Sequence, residues 1–467
     1  MEHSGRDLLA HPLSLAGAAL ATITGVLIAV IFVASLLGWE GSPYLGVLAF
    51  VILPSILVLA LLLIPAGLYL ARRRRAQLAA GEATPHLPIV DLNKPHTRIL
   101  VLGFLALTTV NVLLLAGASY KGLEVMDSPA FCGSCHSVMD PERTAHARSP
   151  HARVRCVECH IGPGASWFVK SKLSGAWQLV SVNLNLYPRP IPTPVKNLRP
   201  ARDTCEQCHW PAKFVGDRLK VMTRHADDAA STPTKTALLL HIGGLQGSRT
   251  KGIHWHVAEG VRVRYLADPK REKIGPVELT DSDGSRRDYE IKGEQPKDAR
   301  WREMDCVDCH NRPTHVYRLP AEEVDDAIEA GHIARTLPFI RREAVKALQV
   351  EYPSAEAARA GIRAQLSAFY AKEDPARASE RLAAVDAAGA ALGDIWARNV
   401  WPKMNIKWGT YPSFLGHEAA PGCFRCHDGE HTTRDGRAIS QDCDLCHQLV
   451  AQDEKDPAAL RQLAGSR

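Results

Sequence analysis

The chain has 467 residues, a formal net charge of +6 and 6% aromatic residues. The length allows two or three domains. The modest charge, with no interleaved run of basic and aromatic side chains, excludes nucleic acid as a partner class, and so few aromatics leave a large conventional core short of apolar filling.

Three apolar stretches come first, about 13–37, 44–71 and 99–118. Each approaches or exceeds the ~20 residues that cross a bilayer as a helix. None carries the polar stripe of a buried core helix; Asn111 is the one strongly polar side chain in the third. Pro54 and Pro65 are expected to kink the second, which membrane helices tolerate. The first lacks a basic leader and a clear cleavage site, so it reads as part of a hairpin anchor and not as a signal peptide. The loop between the second and third stretches holds Arg72, Arg73, Arg74, Arg75, Lys94 and Arg98, whereas the loop near Glu40 has no lysine or arginine. The positive-inside rule therefore predicts a cytoplasmic basic loop and N-terminus, with everything beyond Ala118 on the periplasmic side of an inner membrane.

Beyond the anchor, a Cys-x-x-Cys pair is followed by histidine six times. The pairs are Cys132 and Cys135, Cys156 and Cys159, Cys205 and Cys208, Cys306 and Cys309, Cys423 and Cys426, and Cys443 and Cys446. The histidines are His136, His160, His209, His310, His427 and His447. All twelve cysteines are used. A zinc knuckle needs the cysteine pair but not the fifth-place histidine. Thiols that hold a porphyrin, next to an imidazole that ligates its iron, need both. The spacing predicts six covalently bound haem c groups. Haem would also supply the missing core.

The first three motifs crowd into 132–209. Val261, Val263 and Tyr265 alternate with charged residues and predict a strand; 277–280 and 287–291 predict two more around the turn at Asp283 and Gly284. Residues 320–400 read as helical, with Ile362, Leu366 and Phe369 on one face and Asp374–Pro375 as a helix start. The last two motifs form a terminal dihaem segment. The expected fold is mainly α: three transmembrane helices and a haem-packed periplasmic part with little regular structure and a small β insert. The domain boundaries expected are 1–120 for the anchor, 121–320 for a tetrahaem domain with the insert at about 255–295, 321–400 for a helical spacer, and 401–467 for the dihaem segment.

Each iron has a proximal histidine and needs a second ligand from elsewhere. The candidates by position are Met139, His151 five residues before Cys156, His315 five after His310, and His417 and His431 on either side of the fifth motif. His254 and His256 would face opposite ways on a strand, so one of the two is expected to ligate. His146, His225, His241 and His332 read as ordinary histidines. Saturated irons suit electron transfer, whereas an open iron would suit reduction of a small anion such as nitrite or sulfite.

The anchor, the motif with Met139 just beyond it, Ser-Pro-His before the second motif, and Cys306-Val-Asp-Cys-His-Asn-Arg-Pro-Thr-His315 together resemble the NapC/NirT/NrfH family of quinol-oxidising cytochromes c. The resemblance covers roughly 100–210 and 300–320. It implies that quinol gives electrons at the membrane surface to the haem held by Cys132, Cys135 and His136, with Met139 beside it. It implies passage along the haems to a periplasmic reductase or carrier. Lys170 or Lys172 is similar to the family's basic quinol-site residue. The chain departs from that pattern in having three spans and six motifs, and in the three-residue step from His136 to Met139.

Overall fold

The computed structural model describes residues 11–36, 52–78, 91–133, 138–162, 165–195, 198–243, 245–246 and 250–465. The chain divides into two compact units, residues 1–134 and 135–467.

In the first unit, continuous apolar sequence gives three long helices, Pro12–Leu36, Leu53–Leu78 and Pro95–Met126. All three are long and apolar enough to cross a membrane. The first and second pack through small residues. A Cβ at Gly17 would stand 2.8 Å from the carbonyl oxygen of Ala60, so only glycine allows this approach. Ser14 Oγ donates to the Ile64 carbonyl at 3.1 Å, which satisfies a hydroxyl where lipid offers no partner. Ile28, Leu57 and Ala60 are buried in this seam. The second helix starts at Leu53; the expected stretch from Tyr44 to Val51 lies outside the described residues. The third helix outruns the expected 99–118 at both ends. Proline at its first turn needs no N–H partner there, and Lys121 pairs with Glu124 at 2.9 Å one turn apart near its end.

In the second unit, four helices close one core: Pro320–Glu329, Ile340–Gln349, Ala355–Glu373 and Ala378–Asn399. Ile362 and Leu366 are fully buried there, and Phe369 packs at the edge, as their shared helical face predicts. Asp374 ends the third of these helices and Pro375 starts the short turn into the fourth. Glu323 is buried between them, where Arg148, Arg398 and Asn399 all donate to it.

The β insert is larger than expected and uses distant strands. Five strands run in the order Arg300–Glu303, Arg262–Ala267, Ile274–Thr280, Arg286–Ile291 and His431–Thr432, all antiparallel. The three strands predicted, one from alternation and two from the turn at Asp283 and Gly284, are the central three. Gly284, at φ +82°, closes the turn between two of them. A second sheet orders Asp217–His225, Pro233–His241 and His447–Glu454. Both of these sheets take a strand from the C-terminal motif segment, which ties that segment to the middle of the chain.

Candidate functional site: paired histidines along the motif chain

Each described motif folds as a single helical turn. The amide of the motif histidine donates to the carbonyl of the first cysteine, at 2.8 Å for His209, 2.9 Å for His310 and 3.1 Å for His427. Such a turn brings residues one and five of the motif onto one side, so both thiols and the imidazole can address one planar group. Aspartates start two of the turns: Asp305 caps Val307 at 3.1 Å and Asp442 caps Asp444 at 3.2 Å. Among the described residues no disulfide consumes these sulfurs. Cys135 and His136 lie outside the described residues.

Five motif histidines each face a histidine from another part of the chain. Ring centroids lie 6.3 Å apart for His160 and His315, 6.0 Å for His209 and His151, and 6.3 Å for His310 and His254. They lie 5.9 Å apart for His427 and His256, and 6.2 Å for His447 and His417. Two imidazoles on opposite sides of one metal ion, each with a metal–nitrogen bond of about 2 Å and about 1 Å more to the ring centre, give about 6 Å. The rings are too far apart to touch and correctly spaced to share an ion.

Hydrogen bonds set the tautomers. Nδ1 of His254 bonds the Ile242 carbonyl at 2.5 Å, and Nδ1 of His256 bonds that of Ile253 at 2.8 Å. Nδ1 of His315 bonds the Glu142 carbonyl at 3.0 Å, and Nδ1 of His427 bonds that of Ser440 at 2.6 Å. A carbonyl only accepts, so Nδ1 carries the proton and Nε2 keeps its lone pair, as metal-ligating histidines require. Burial also pushes His160, His256, His310 and His315 below the usual imidazole range. All four are therefore neutral, ligand-ready rings at neutral pH.

His315 has further support. Glu142 Oε2 lies 3.1 Å from its Nδ1. Arg312 donates to both carboxylate oxygens of Glu142 at 2.9 Å and lies 4.1 Å over the Tyr411 ring.

Sulfur neighbours order the motifs. Cys159 lies near Cys208, Cys205 and Cys306 are neighbours, and so are Cys309 and Cys423, and Cys423 and Cys446. The second to sixth motifs thus succeed one another in space in sequence order.

Several expectations change. His254 and His256 stand on a 3-10 turn, Ile253–Val257, and not on a strand; such a turn aims them at two different motifs, so both find a partner where one was expected. His431 has none. Its Nδ1 meets the Asp428 carboxylate at 2.9 Å and its Nε2 the Gly275 carbonyl at 3.0 Å. With both nitrogens engaged it serves as a strut between the fifth motif and the sheet. His225 bonds Asp325 and His241 bonds Asp217, while His332 is exposed. His146 stands 6.2 Å from His315 and close enough to His160 for its charge to disfavour protonation of that ring. Met139 begins the Asp140–Ala147 helix, half-buried. Lys170 and Lys172 lie on the Ala165–Asn183 helix, Lys170 exposed with its ammonium 4.6 Å over the Trp167 ring.

The thiol turns and the ring spacings fit covalently attached haem. With three apolar spans, they define a membrane-anchored c-type cytochrome. The chain belongs to the NapC/NirT cytochrome c family: residues 94–187 match the model of that family's N-terminal region. It is 45% identical over 451 residues to cytochrome c-type protein ImcH of Geobacter sulfurreducens, covering 95% of this chain and 88% of that one. It is 33% identical over 91 residues to cytochrome c-type protein TorC of Escherichia coli K12, covering 18% of this chain and 23% of TorC. No solved structure matches.

Proposed function

We propose that this protein oxidises quinol at the inner membrane and passes the electrons along six covalently held haems to a periplasmic reductase or carrier. The observation that carries the reading is the set of five facing histidine pairs. Haem, when bound, supplies one-electron carriage; the rest belongs to the chain.

Cysteine pairs tether each group. Motif histidines His160, His209, His310, His427 and His447 would each ligate an iron, and His315, His151, His254, His256 and His417 would each supply the second imidazole. With both ligands supplied by the chain, a small anion would find no coordination position at these five sites, which favours electron transfer over anion reduction. Cys132, Cys135 and His136 hold the group nearest the anchor in sequence, with Met139 as its candidate second ligand. Lys170 and Lys172 are the candidate quinol contacts, where an ammonium can orient a quinol oxygen. The sequence order of the sulfur neighbours supports a single-file route from the second motif to the sixth. The arginine-rich loop supports a cytoplasmic N-terminus and a periplasmic haem domain.

Quinol-dependent haem reduction in proteoliposomes tests the entry site. Met139→Ala and Lys172→Ala should each slow reduction at least tenfold while dithionite still reduces every haem. Unchanged rates in both variants would remove the entry assignment.

A further inference from the structure

One helix of the second unit turns bulky apolar side chains outward. On Ala165–Asn183 and the turn that follows, Leu173, Trp177, Val180 and Leu184 recur at helical spacing and form one stripe. Their exposures are 68%, 61%, 45% and 63%. The opposite side of the helix carries Ser171, Gly175 and Val182, and Val182 is the residue that packs inward, against the core of Val138, Met404, Ile406 and Tyr411. Val182 thus meets the protein while the four bulky apolar residues of the stripe face out. Scattered exposed leucines are ordinary on a protein surface. A contiguous stripe of four, with a tryptophan in it, marks an interaction surface.

The helix has no cysteine or histidine, so none of the paired rings or motif sulfurs stands on it. Its neighbours point to lipid. Lys170, exposed beside the stripe, can reach headgroup phosphate while its stem stays on apolar ground. Tryptophan is the side chain enriched at bilayer interfaces. The stripe is also supplied with a membrane at no cost in encounter, since the same chain carries three apolar spans. We infer that Ala165–Asn183 is an interfacial helix, lying in the headgroup region of an anionic bilayer with Leu173, Trp177, Val180 and Leu184 in the acyl boundary. The inference rests on the spans and the stripe and does not depend on the quinol reading.

The test uses the full chain in nanodiscs of phosphatidylcholine and phosphatidylglycerol. Leu173→Cys, Trp177→Cys and Leu184→Cys carry a nitroxide, and collisions with oxygen are compared with collisions with a water-soluble nickel chelate. Leu382→Cys, an exposed leucine on the Ala378–Asn399 helix, gives the water-facing reference, and the wild-type chain treated alike sets the background from native sulfurs. All substituted side chains are exposed, and an unchanged visible spectrum verifies the fold of each variant. The three stripe positions should favour oxygen over nickel several-fold more than Leu382→Cys does. Nickel access equal to the reference would overturn the inference, and so would exclusion of both reagents, which would mean a protein partner covers the face.

Discussion

His315 follows the fourth motif by five residues, yet its ring faces His160 of the second motif at 6.3 Å. The same displacement recurs along the chain. His151 precedes the second motif and faces the third, and His417 precedes the fifth and faces the sixth. Each of the five described pairs thereby joins two separate segments, so the pairs form only when the chain is folded.

The pairing separates two of the candidate histidines, His256 and His431. His256→Ala should open one axial position and add one high-spin haem to the absorption and electron paramagnetic resonance spectra. His431→Ala should leave the spin state alone and lower stability by about 1–3 kcal/mol, the cost of buried polar groups left unpaired. A high-spin signal from His431→Ala, and none from His256→Ala, would reverse the assignment.

Glu142 tests ligand support. Its carboxylate lies 3.1 Å from Nδ1 of His315 and holds Arg312 with two bonds. A carboxylate behind a ligating imidazole makes the ligand more basic and favours the oxidised metal. Glu142→Gln should therefore raise one midpoint potential in a redox titration and leave the others in place. A uniform shift of all the haems would point to general loosening instead.

Glu323 should dominate the acid limb of stability in the helical core. Burial raises its pKa, but hydrogen bonding and charge from Arg398 and Arg148 outweigh that and hold the carboxyl below its usual range. A depressed pKa means the unfolded chain takes up the proton first. The stabilisation is then full above the ordinary carboxylate value, near pH ~4, and is lost as pH falls through the lower folded value. Glu323→Gln should cost about 3–5 kcal/mol at neutral pH, as breaking a buried pair does, and should flatten the acid limb in denaturation followed from neutral pH to pH ~2. An unaltered acid limb would remove Glu323 as its source.

Gly17 tests the anchor seam. Gly17→Leu puts a Cβ 2.8 Å from the Ala60 carbonyl, so the first two helices must separate. Overpacking of this kind costs about 1–3 kcal/mol, and a cysteine cross-link between the two helices should lose yield. An undiminished yield would mean the seam is not this close.

Much of this was legible because its signals are local. Spans need only continuous apolar sequence, motifs need five adjacent residues, and the strands around Gly284 alternate regularly. The strands Asp217–His225 and Pro233–His241 were not legible. They pair with each other locally, but only Pro233–His241 meets His447–Glu454, more than 200 residues away, and exposure of both faces leaves neither strand an inward side. The facing histidines were half legible for the same reason. Histidines near a motif are good candidates, but which motif they serve is decided by long-range folding. His431 stands close to a motif, and the carboxylate of Asp428 and the carbonyl of Gly275 claim it first.

Counting bis-histidine low-spin haems per polypeptide, by near-infrared magnetic circular dichroism on the purified full-length protein, tests the central claim most directly. The account predicts five, matching the five ring pairs, with the first motif's haem as the sixth group. Four or fewer, or a high-spin haem in excess of the first, would contradict it.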